Sequence, residues 1–207
     1  MRRARRPLRR GQQAVSPDRE QSDVRTLPED FYERVRERLW RRIAEQFCLA
    51  ERVVEIGCGS CELASFLAER NDQHVIGVDI SGSGFPADQD AQARIECRKA
   101  DGRNLEFIQD HSVDAVLSVH ALHEMQEPVE VLREAYRVLR NGGEMLVVDF
   151  PRHSLAERLW NENYYAPTEV AGMLSQAGFV GAESRLITRG QLIWAEGRKA
   201  SPGKEMP

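Results

Sequence analysis

The chain has 207 residues, of which 41% are apolar and 30% are charged, a balance typical of a globular protein with one domain. Its apolar runs are only a few residues long, so the sequence predicts no membrane-spanning helix. The net charge of −4 conceals an asymmetry, because the first ten residues contain six arginines and no acid.

The two ends of the chain are predicted to be solvated tails. Residues 1–26 are rich in arginine and poor in apolar side chains, so burial cannot offset the entropy of ordering them. Such an arm could instead bind RNA or an anionic surface, or act as a targeting peptide, but it lacks the apolar segment of a secretory signal. Residues 199–207 have a similar composition. The sequence therefore predicts one domain at residues 27–198 and no nucleic-acid partner, while the arginine arm leaves RNA binding open.

Helical and strand patterns alternate through the middle of the chain. An amphipathic helix is predicted within residues 28–49, because apolar residues recur there at every fourth position. Short apolar runs then predict five strands, at residues 53–56, 74–78, 95–99, 113–119 and 145–148. Helical spacing lies between them, at residues 63–67 and 131–139. This alternation favours a mainly parallel sheet with helices on both faces.

The last part of the chain follows another pattern. A helix from about residue 167 is predicted to end at Gly178, a favourable residue after a helix. Two strands, at residues 184–188 and 191–195, flank the short connection Arg189-Gly190, which is typical of a hairpin. We therefore predict an α/β fold, Rossmann-like and doubly wound, with a C-terminal antiparallel hairpin at the edge of the sheet. Residues 81–90 are too rich in Gly, Pro and Asp to predict a helix.

A glycine turn, Gly57-Cys58-Gly59, follows the first predicted strand. Glycines at such a turn allow the backbone to approach a ligand. The dinucleotide fingerprint requires a third glycine where Glu62 stands. Glu62, in the first helical turn, and Glu55, on the strand, would also repel the phosphate that such helix N-termini bind. The turn therefore predicts a ligand with positive charge and without phosphate.

In this region the sequence resembles the class I S-adenosylmethionine-dependent methyltransferases, whose cofactor has a sulfonium, an ammonium and no phosphate. The resemblance covers residues 28–198 and is greatest for the small-molecule branch that includes the ubiquinone and menaquinone C-methyltransferases. It departs at Cys61, which replaces the family's third glycine, and after Asp79, where the usual helix is missing. The motifs, in chain order, are the turn beginning at Glu55, the acid Asp79, Ala100-Asp101, DAVLSVHALHEM and YRVLRNGG.

The resemblance implies S-adenosylmethionine as the cofactor and assigns residues to it. Asp79 would accept the ribose hydroxyls, and Asp101 would contact the adenine amino group. The complete set of implied cofactor-binding residues is Glu55, Gly57, Cys58, Gly59, Asp79, Ile80, Asp101, Gly102 and Val119.

Methyl transfer is an in-line displacement, so the protein has mainly to align the acceptor and exclude water. A base is required only where the acceptor must lose a proton. His123 is the candidate base, because its usual pKa lies near neutrality, and Glu124 is a second candidate beside it. A structural role for His123 stays open. The predicted substrate-binding residues are His120, His123, Tyr164 and Tyr165.

The predicted function is an S-adenosylmethionine-dependent methyltransferase acting on a small-molecule acceptor. Two alternatives stay open: a non-catalytic cofactor-binding relative that acts through protein or RNA partners, and a nicotinamide-dependent oxidoreductase, which Glu55 and Glu62 disfavour. The lone C-x-x-C of Cys58 and Cys61 lacks the second half of a zinc site, so no metal is predicted. Four cysteines without a disulfide-like pattern indicate a reducing compartment, the cytoplasm.

Overall fold

The computed structural model describes residues 31–86 and 94–201. The predicted tail at residues 1–26 lies outside these ranges, as do most of the predicted tail at 199–207 and the end of segment 81–90. No helix within the described ranges has the length and apolar character needed to cross a bilayer.

Helices and strands alternate along the described chain. The helices are α1 (Phe31–Gln46), α2 (Glu62–Asn71), α3 (Pro128–Val138), α4 (Leu155–Trp160) and α5 (Pro167–Gln176). The strands are β1 (Arg52–Ile56), β2 (His74–Asp79), β3 (Ile95–Lys99), β4 (Val113–Val119), β5 (Leu139–Asp149), β6 (Val180–Ile187) and β7 (Leu192–Arg198). Short 3₁₀ turns lie at Leu122–Glu124 and Thr188–Gly190.

The strands form a seven-stranded sheet in the order β3-β2-β1-β4-β5-β7-β6. The pairs from β3 to β5 are parallel, and β7 pairs antiparallel with both β5 and β6. The predicted α/β fold and C-terminal hairpin are therefore confirmed. The antiparallel strand β7 lies one position inside the edge, because its buried residues, Ile193, Trp194 and Ala195, pack within the sheet.

Two apolar clusters fill the space between the sheet and its helices. One includes Val54 of β1 and Leu132 of α3. The other includes Val53 of β1, Ile43 of α1 and Leu67 of α2. Neighbouring residues of β1 thus contribute to different clusters, as the alternation of side chains along a strand requires.

This topology determines where a ligand can bind. The chain leaves β1 toward β2 and β3 on one side of the sheet, and later runs from β4 to β5 on the other side. In such sheets ligands bind at the carboxyl ends of the strands, at the point where the strand order reverses. Here that point lies between β1 and β4.

Three features differ from the sequence prediction. β5 begins at Leu139 and not at residue 145, because the glycine pair Gly142-Gly143 continues the strand. The short helix α4 is not predicted by the sequence. Lys199, assigned to the tail, is buried, and its Nζ donates hydrogen bonds to the backbone oxygens of Tyr136 and Arg137, at 2.6 and 3.1 Å.

Candidate functional site

The glycine turn is held tightly at the carboxyl end of β1. Gly57 and Gly59 have φ values of 78° and 52°, in the left-handed region. A side chain at Gly57 would place its Cβ 2.3 Å from the Cβ of Ala121, on the loop that follows β4. The N–H groups of Gly57 and Cys58 donate to the carbonyl of Val78, at 2.8 and 3.1 Å. The turn therefore joins the ends of β1, β2 and β4, and it leaves open space for a ligand at Gly59, where an added Cβ would have no neighbour within 4 Å.

The third position of the turn, Cys61, differs from the family pattern. Cys61 stands where the family has glycine and adopts the left-handed conformation, with φ of 63°. Its Sγ is bonded to that of Cys97 on β3, and the Sγ of Cys58 lies 3.4 Å away. Gly77 of β2 makes room for both sulfurs, because a Cβ there would lie 2.7 and 2.9 Å from them.

This disulfide corrects the sequence analysis, which found no pairing pattern among the cysteines. The two partners are 36 residues apart in the chain, and only the pairing of β2 with β3 brings them together. Cys58 is free and buried. Burial, together with the charge of Glu55, raises the pKa of the Cys58 thiol far above its usual range, so this group stays protonated.

Asp79 lies at the carboxyl end of β2, beside the glycine turn. Its Oδ2 accepts a hydrogen bond from the N–H of Gly59 at 2.9 Å, and its Oδ1 accepts from the N–H and hydroxyl of Ser81. Burial raises the pKa of Asp79, but these hydrogen bonds outweigh burial and lower it. Asp79 is therefore a fixed anion. The next side chain, Ile80, is 69% exposed and offers an apolar surface at the same edge.

Glu55 is the group with the least complete set of partners in this region. Its side chain is 3% exposed, and Oε2 has no hydrogen-bond partner among the described residues. Burial raises its pKa to about 8, opposed by a backbone hydrogen bond from Ala64 and supported by the charge of Asp79. A buried acid with an unpaired oxygen is costly unless a ligand completes it. Glu55 is therefore suited to a cationic group.

Asp101 and Gly102 follow β3, across from β1. Arg103 hydrogen-bonds to Asp101 and lowers its pKa, and the same guanidinium contacts Glu127. A Cβ at Gly102 would lie 2.8 Å from Cγ2 of Ile56, so the backbone approaches β1 closely here. The ends of β1, β2 and β3 thus present an acid-lined edge. Val119, the last residue of β4, is buried beside it.

A second group of side chains lies at the carboxyl ends of β4 and β5. Nδ1 of His123 is 2.9 Å from Oδ1 of Asp149, and the backbone N–H of His123 donates to Oδ2 at 3.0 Å. Nε2 of His123 is 3.2 Å from Oε2 of Glu162. Burial alone would lower the pKa of His123. The hydrogen bond and charge of Asp149, with the charges of Glu124 and Glu162, outweigh burial and raise it.

By its position after the fifth predicted strand, Asp149 is expected near the methyl group, and in the structure it ends β5 at the carboxyl edge of the sheet. Glu162 is absent from the site residues predicted by sequence. Glu162 lies in the connection after α4, where the sequence has no pattern. Glu124 is exposed, with Oε1 3.8 Å from Nε2 of His123. His123, Glu124 and Glu162 could bring one ligand atom each within 4.8 Å of one another, although both ring nitrogens of His123 already face carboxylates.

His120 differs from His123 although both follow β4. The residue is half-buried, its buried Nδ1 has no partner within the described chain, and desolvation lowers its pKa to about 4. The ring stacks on Phe150 with centroids 4.5 Å apart. His120 is therefore neutral near pH 7 and cannot replace His123 as the titrating group.

The two tyrosines predicted to bind substrate, Tyr164 and Tyr165, have different surroundings in the structure. Tyr164 is buried with its ring 4.4 Å from that of His123, and its hydroxyl donates to Glu162 at 2.6 Å. Tyr165 packs against the cluster that contains Val54 and Leu132. Tyr164 thus belongs to the histidine group, whereas the contacts of Tyr165 are with the core.

The fold and this edge agree with one family of proteins. Residues 54–147 match the model of a family described as the methyltransferase domain. Over these residues, which are under half of the chain, the chain is similar to the class I S-adenosylmethionine-dependent methyltransferases. The cofactor of this class is S-adenosylmethionine. The residues present fit it, since the unpaired acid Glu55 suits its cationic part and the glycine turn leaves room for close approach.

Particular relatives are similar over part of their length. The 27-O-demethylrifamycin SV methyltransferase of Amycolatopsis mediterranei is 36% identical over 123 residues, which are 55% of this chain and 44% of that protein. The 2-phytyl-1,4-naphtoquinone methyltransferase of Synechococcus elongatus is 34% identical over 126 residues, 56% of this chain and 54% of the relative. The chain thus spans about half the length of the curated relatives it matches.

Solved structures support the fold. Human N-acetylserotonin methyltransferase, in complex with S-adenosylmethionine, superposes with a TM-score of 0.63 and 17% identity. The match covers 83% of this chain and 55% of the human protein. At this identity the likeness concerns the fold alone.

Proposed function

We propose that this chain transfers the methyl group of S-adenosylmethionine to a small-molecule acceptor. The observation that supports this most is Glu55, buried beside the glycine turn with an unpaired carboxyl oxygen. Such a group favours a ligand with a cation and without phosphate. A nicotinamide dinucleotide would bring a pyrophosphate to an edge that already contains Glu55 and Asp79.

In this proposal the acid-lined edge holds the cofactor. Asp79 is charged and fixed, so its carboxylate can accept the ribose hydroxyls beside the Gly59 N–H. Asp101 and Gly102 contact the adenine end, between the exposed Ile80 and the end of β4 at Val119. The remaining turn residues, Gly57 and Cys58, present backbone to the cofactor.

The histidine group acts on the acceptor. The bound cofactor supplies a methyl group activated by the sulfonium. His123 removes a proton from the acceptor through Nε2, after Glu162, an exposed side chain, has moved from that nitrogen. Asp149 holds Nδ1 and thereby orients the ring, as a buried carboxylate does for other histidine bases. Glu124 and Tyr164 border the same ring, and His120 lines the acceptor side with Phe150.

We infer a small-molecule acceptor from the relatives that the chain is similar to. The names of the two relatives describe methylation of 27-O-demethylrifamycin SV and of a phytyl naphthoquinone. Both are small-molecule acceptors, which agrees with the proposal without naming the acceptor of this chain.

Calorimetry tests whether the chain binds the proposed cofactor, and a turnover assay tests whether it transfers the methyl group. We expect S-adenosylhomocysteine to bind and NADH not to bind, and Glu69→Ala, an exposed change on α2, to serve as a control with unchanged affinity. Release of S-adenosylhomocysteine should then be measured with phenolic and enolic acceptors. Binding of NADH in place of S-adenosylhomocysteine would support the oxidoreductase alternative. Tight cofactor binding with no turnover across the acceptors would support the non-catalytic relative.

A further inference from the structure

A cavity of about 650 Å³ opens beside the histidine group. It lies between α1, α4 and the turn that joins β6 to β7. Its volume falls in the range of roughly 300–1,000 Å³ usual for small-molecule sites. Its apolar wall consists of Val35, Leu39, Phe150, Leu155, Ala156 and Ile187.

Three arginines line the same cavity, namely Arg38, Arg42 and Arg189, and no acidic residue does so. Within the described residues, none of the three guanidinium groups forms an ion pair with a carboxylate. Other arginines of α1 differ, since Arg41 pairs with Glu37 at 2.5 Å. The cavity therefore combines apolar walls with a rim of exposed arginines that no described carboxylate pairs with.

The arginines come from two separate parts of the chain. Arg38 and Arg42 lie one turn apart on α1 and share a helix face with Leu39. Arg42 also lies over the ring of Trp194, 4.3 Å from its centroid. Arg189 reaches the cavity from the β6–β7 turn, 147 residues beyond Arg42 in the chain. Only the fold brings these charges to one cavity.

The cavity shares a wall with the proposed catalytic group. The ring of Phe150 lines the cavity and stacks on His120. The same ring contacts Trp160 and Tyr164 edge-on, at 5.1 and 5.6 Å between centroids. A molecule in the cavity would thus lie against the aromatic side chains that surround His123.

We propose that this cavity holds the methyl acceptor, and that the acceptor is an apolar molecule with an anionic head group, a carboxylate or a phosphate. That the bound molecule is methylated rests on the proposed function. That an apolar anion binds in this cavity does not depend on it. Apolar walls favour a ring or chain, and guanidinium groups bind carboxylate and phosphate oxygens with geometric specificity. A neutral acceptor would form no hydrogen-bonded ion pair with Arg38 or Arg189.

Three probes with the same naphthyl ring test whether the cavity prefers an anionic head group. They are 1-naphthoate, 1-naphthyl phosphate and the neutral 1-naphthamide. Each is titrated calorimetrically into the full chain saturated with S-adenosylhomocysteine, and again without it. We expect at least one anion to bind about tenfold more tightly than the amide, because only an anion forms hydrogen-bonded ion pairs with the guanidinium groups. Whichever anion binds more tightly identifies the head group as carboxylate or phosphate.

Matched variants test whether the preference for an anion arises from the arginines of this cavity. Arg38→Gln with Arg189→Gln should reduce the preference for the anion to about threefold or less and leave affinity for the amide unchanged. Arg41→Gln with Arg133→Gln, which removes the same charge elsewhere, should leave the preference intact. Val35→Phe should weaken all three probes, because the larger ring occupies the cavity.

The proposal is overturned if neither anion binds, if the amide binds as tightly as both anions, or if the preference survives in the Arg38/Arg189 variant. Unchanged affinity for all probes in Val35→Phe would show binding elsewhere and also overturn it. Failure of S-adenosylhomocysteine to bind, with the anion preference intact, would refute the methyltransferase function and leave the cavity assignment standing.

Discussion

Two buried carboxyl groups at the same edge of the sheet have opposite surroundings. Glu55, near the end of β1, is 3% exposed and has an oxygen without a partner in the described chain. Asp149, at the end of β5, is 1% exposed and accepts from the N–H groups of His123 and Phe150 while facing Nδ1 of His123. The two carboxyl groups are thus buried to a similar degree, but Glu55 lacks a hydrogen-bond partner for one oxygen, whereas both oxygens of Asp149 have partners.

The difference separates two kinds of site within one fold. An acid whose partners all come from the protein positions its neighbours, so Asp149 orients His123. An acid whose partners are incomplete can be completed by a ligand, so we assign Glu55 to the proposed cofactor site. The two ends of the sheet edge should therefore respond differently to mutation, and the following experiments measure that difference.

The largest effect is expected at His123. With a phenolic or enolic acceptor, His123→Asn should lower kcat by about 10²–10⁴-fold, the usual contribution of a general base, with cofactor affinity unchanged. The pKa of His123 is raised above 6.5 and the neutral ring is the base, so wild-type turnover should rise with pH through that pKa.

The pH profile of His123→Asn supplies the control. The acid limb should flatten in the variant, whereas Glu124→Gln should retain it. A lower melting temperature with unchanged turnover per folded molecule would assign His123 a structural role instead.

Asp149→Ala should lower the free energy of unfolding by about 3–5 kcal/mol, because it breaks a buried charge pair and leaves His123 without its partner. Urea unfolding at pH 6 measures this, since His123 is then mostly protonated. Glu162→Ala, which removes the exposed carboxylate on the other side of the ring, is the matched control and should change stability little. Equal losses in both variants would contradict the distinction between the two partners.

The disulfide joins the residue that precedes α2, Cys61, to β3. Cys97→Ser should lower the free energy of unfolding by about 2–4 kcal/mol, since it releases a loop that the bond between Cys61 and Cys97 closes. Chemical denaturation with and without reductant measures the change. Cys48→Ser, at an exposed free cysteine, should have no effect, and wild type under reductant should resemble the variant.

Asp79→Ala should weaken S-adenosylhomocysteine by about 10–150-fold, corresponding to about 1.5–3 kcal/mol for hydrogen bonds to a charged group. The variant should fold with a lower melting temperature, because it loses the hydrogen bonds from Gly59 and Ser81, so affinity is measured well below that temperature. Calorimetry compares it with Glu69→Ala. Unchanged affinity in Asp79→Ala would remove this residue from the cofactor site.

The smallest effect is a slope in stability with pH caused by Glu55. Its folded pKa of about 8 lies above the usual value of 4.5, so its contribution is complete below pH 4.5 and is lost as pH rises through 8. The loss should amount to about 1.4 kcal/mol per pH unit inside this window. Unfolding measured at pH 6 and pH 7 should show it.

Glu55→Gln removes this slope and leaves the contribution of His123, which has the same sign and begins above pH 6.5. S-adenosylhomocysteine, whose ammonium favours the charged carboxylate, should reduce the slope in wild type. An identical slope in wild type and Glu55→Gln would show that Glu55 does not titrate in this window.

The sequence by itself determined the order of strands and helices, the glycine turn and the acid at Asp79. These features depend on local chemistry: the period of apolar side chains, the backbone freedom of glycine and the end of an apolar run. Position in a parallel sheet then follows, because such strands end at one edge.

Tertiary structure alone decided the rest. Cys61 meets Cys97 because β3 pairs with β2, and His123 meets Asp149 and Glu162 because β4 lies beside β5. Helix α4 is too short for a helical spacing of apolar residues to be recognised in the sequence. The burial that raises the pKa of Glu55, and the convergence of three arginines on one cavity, arise from contacts between segments distant in the chain. No local pattern encodes such contacts.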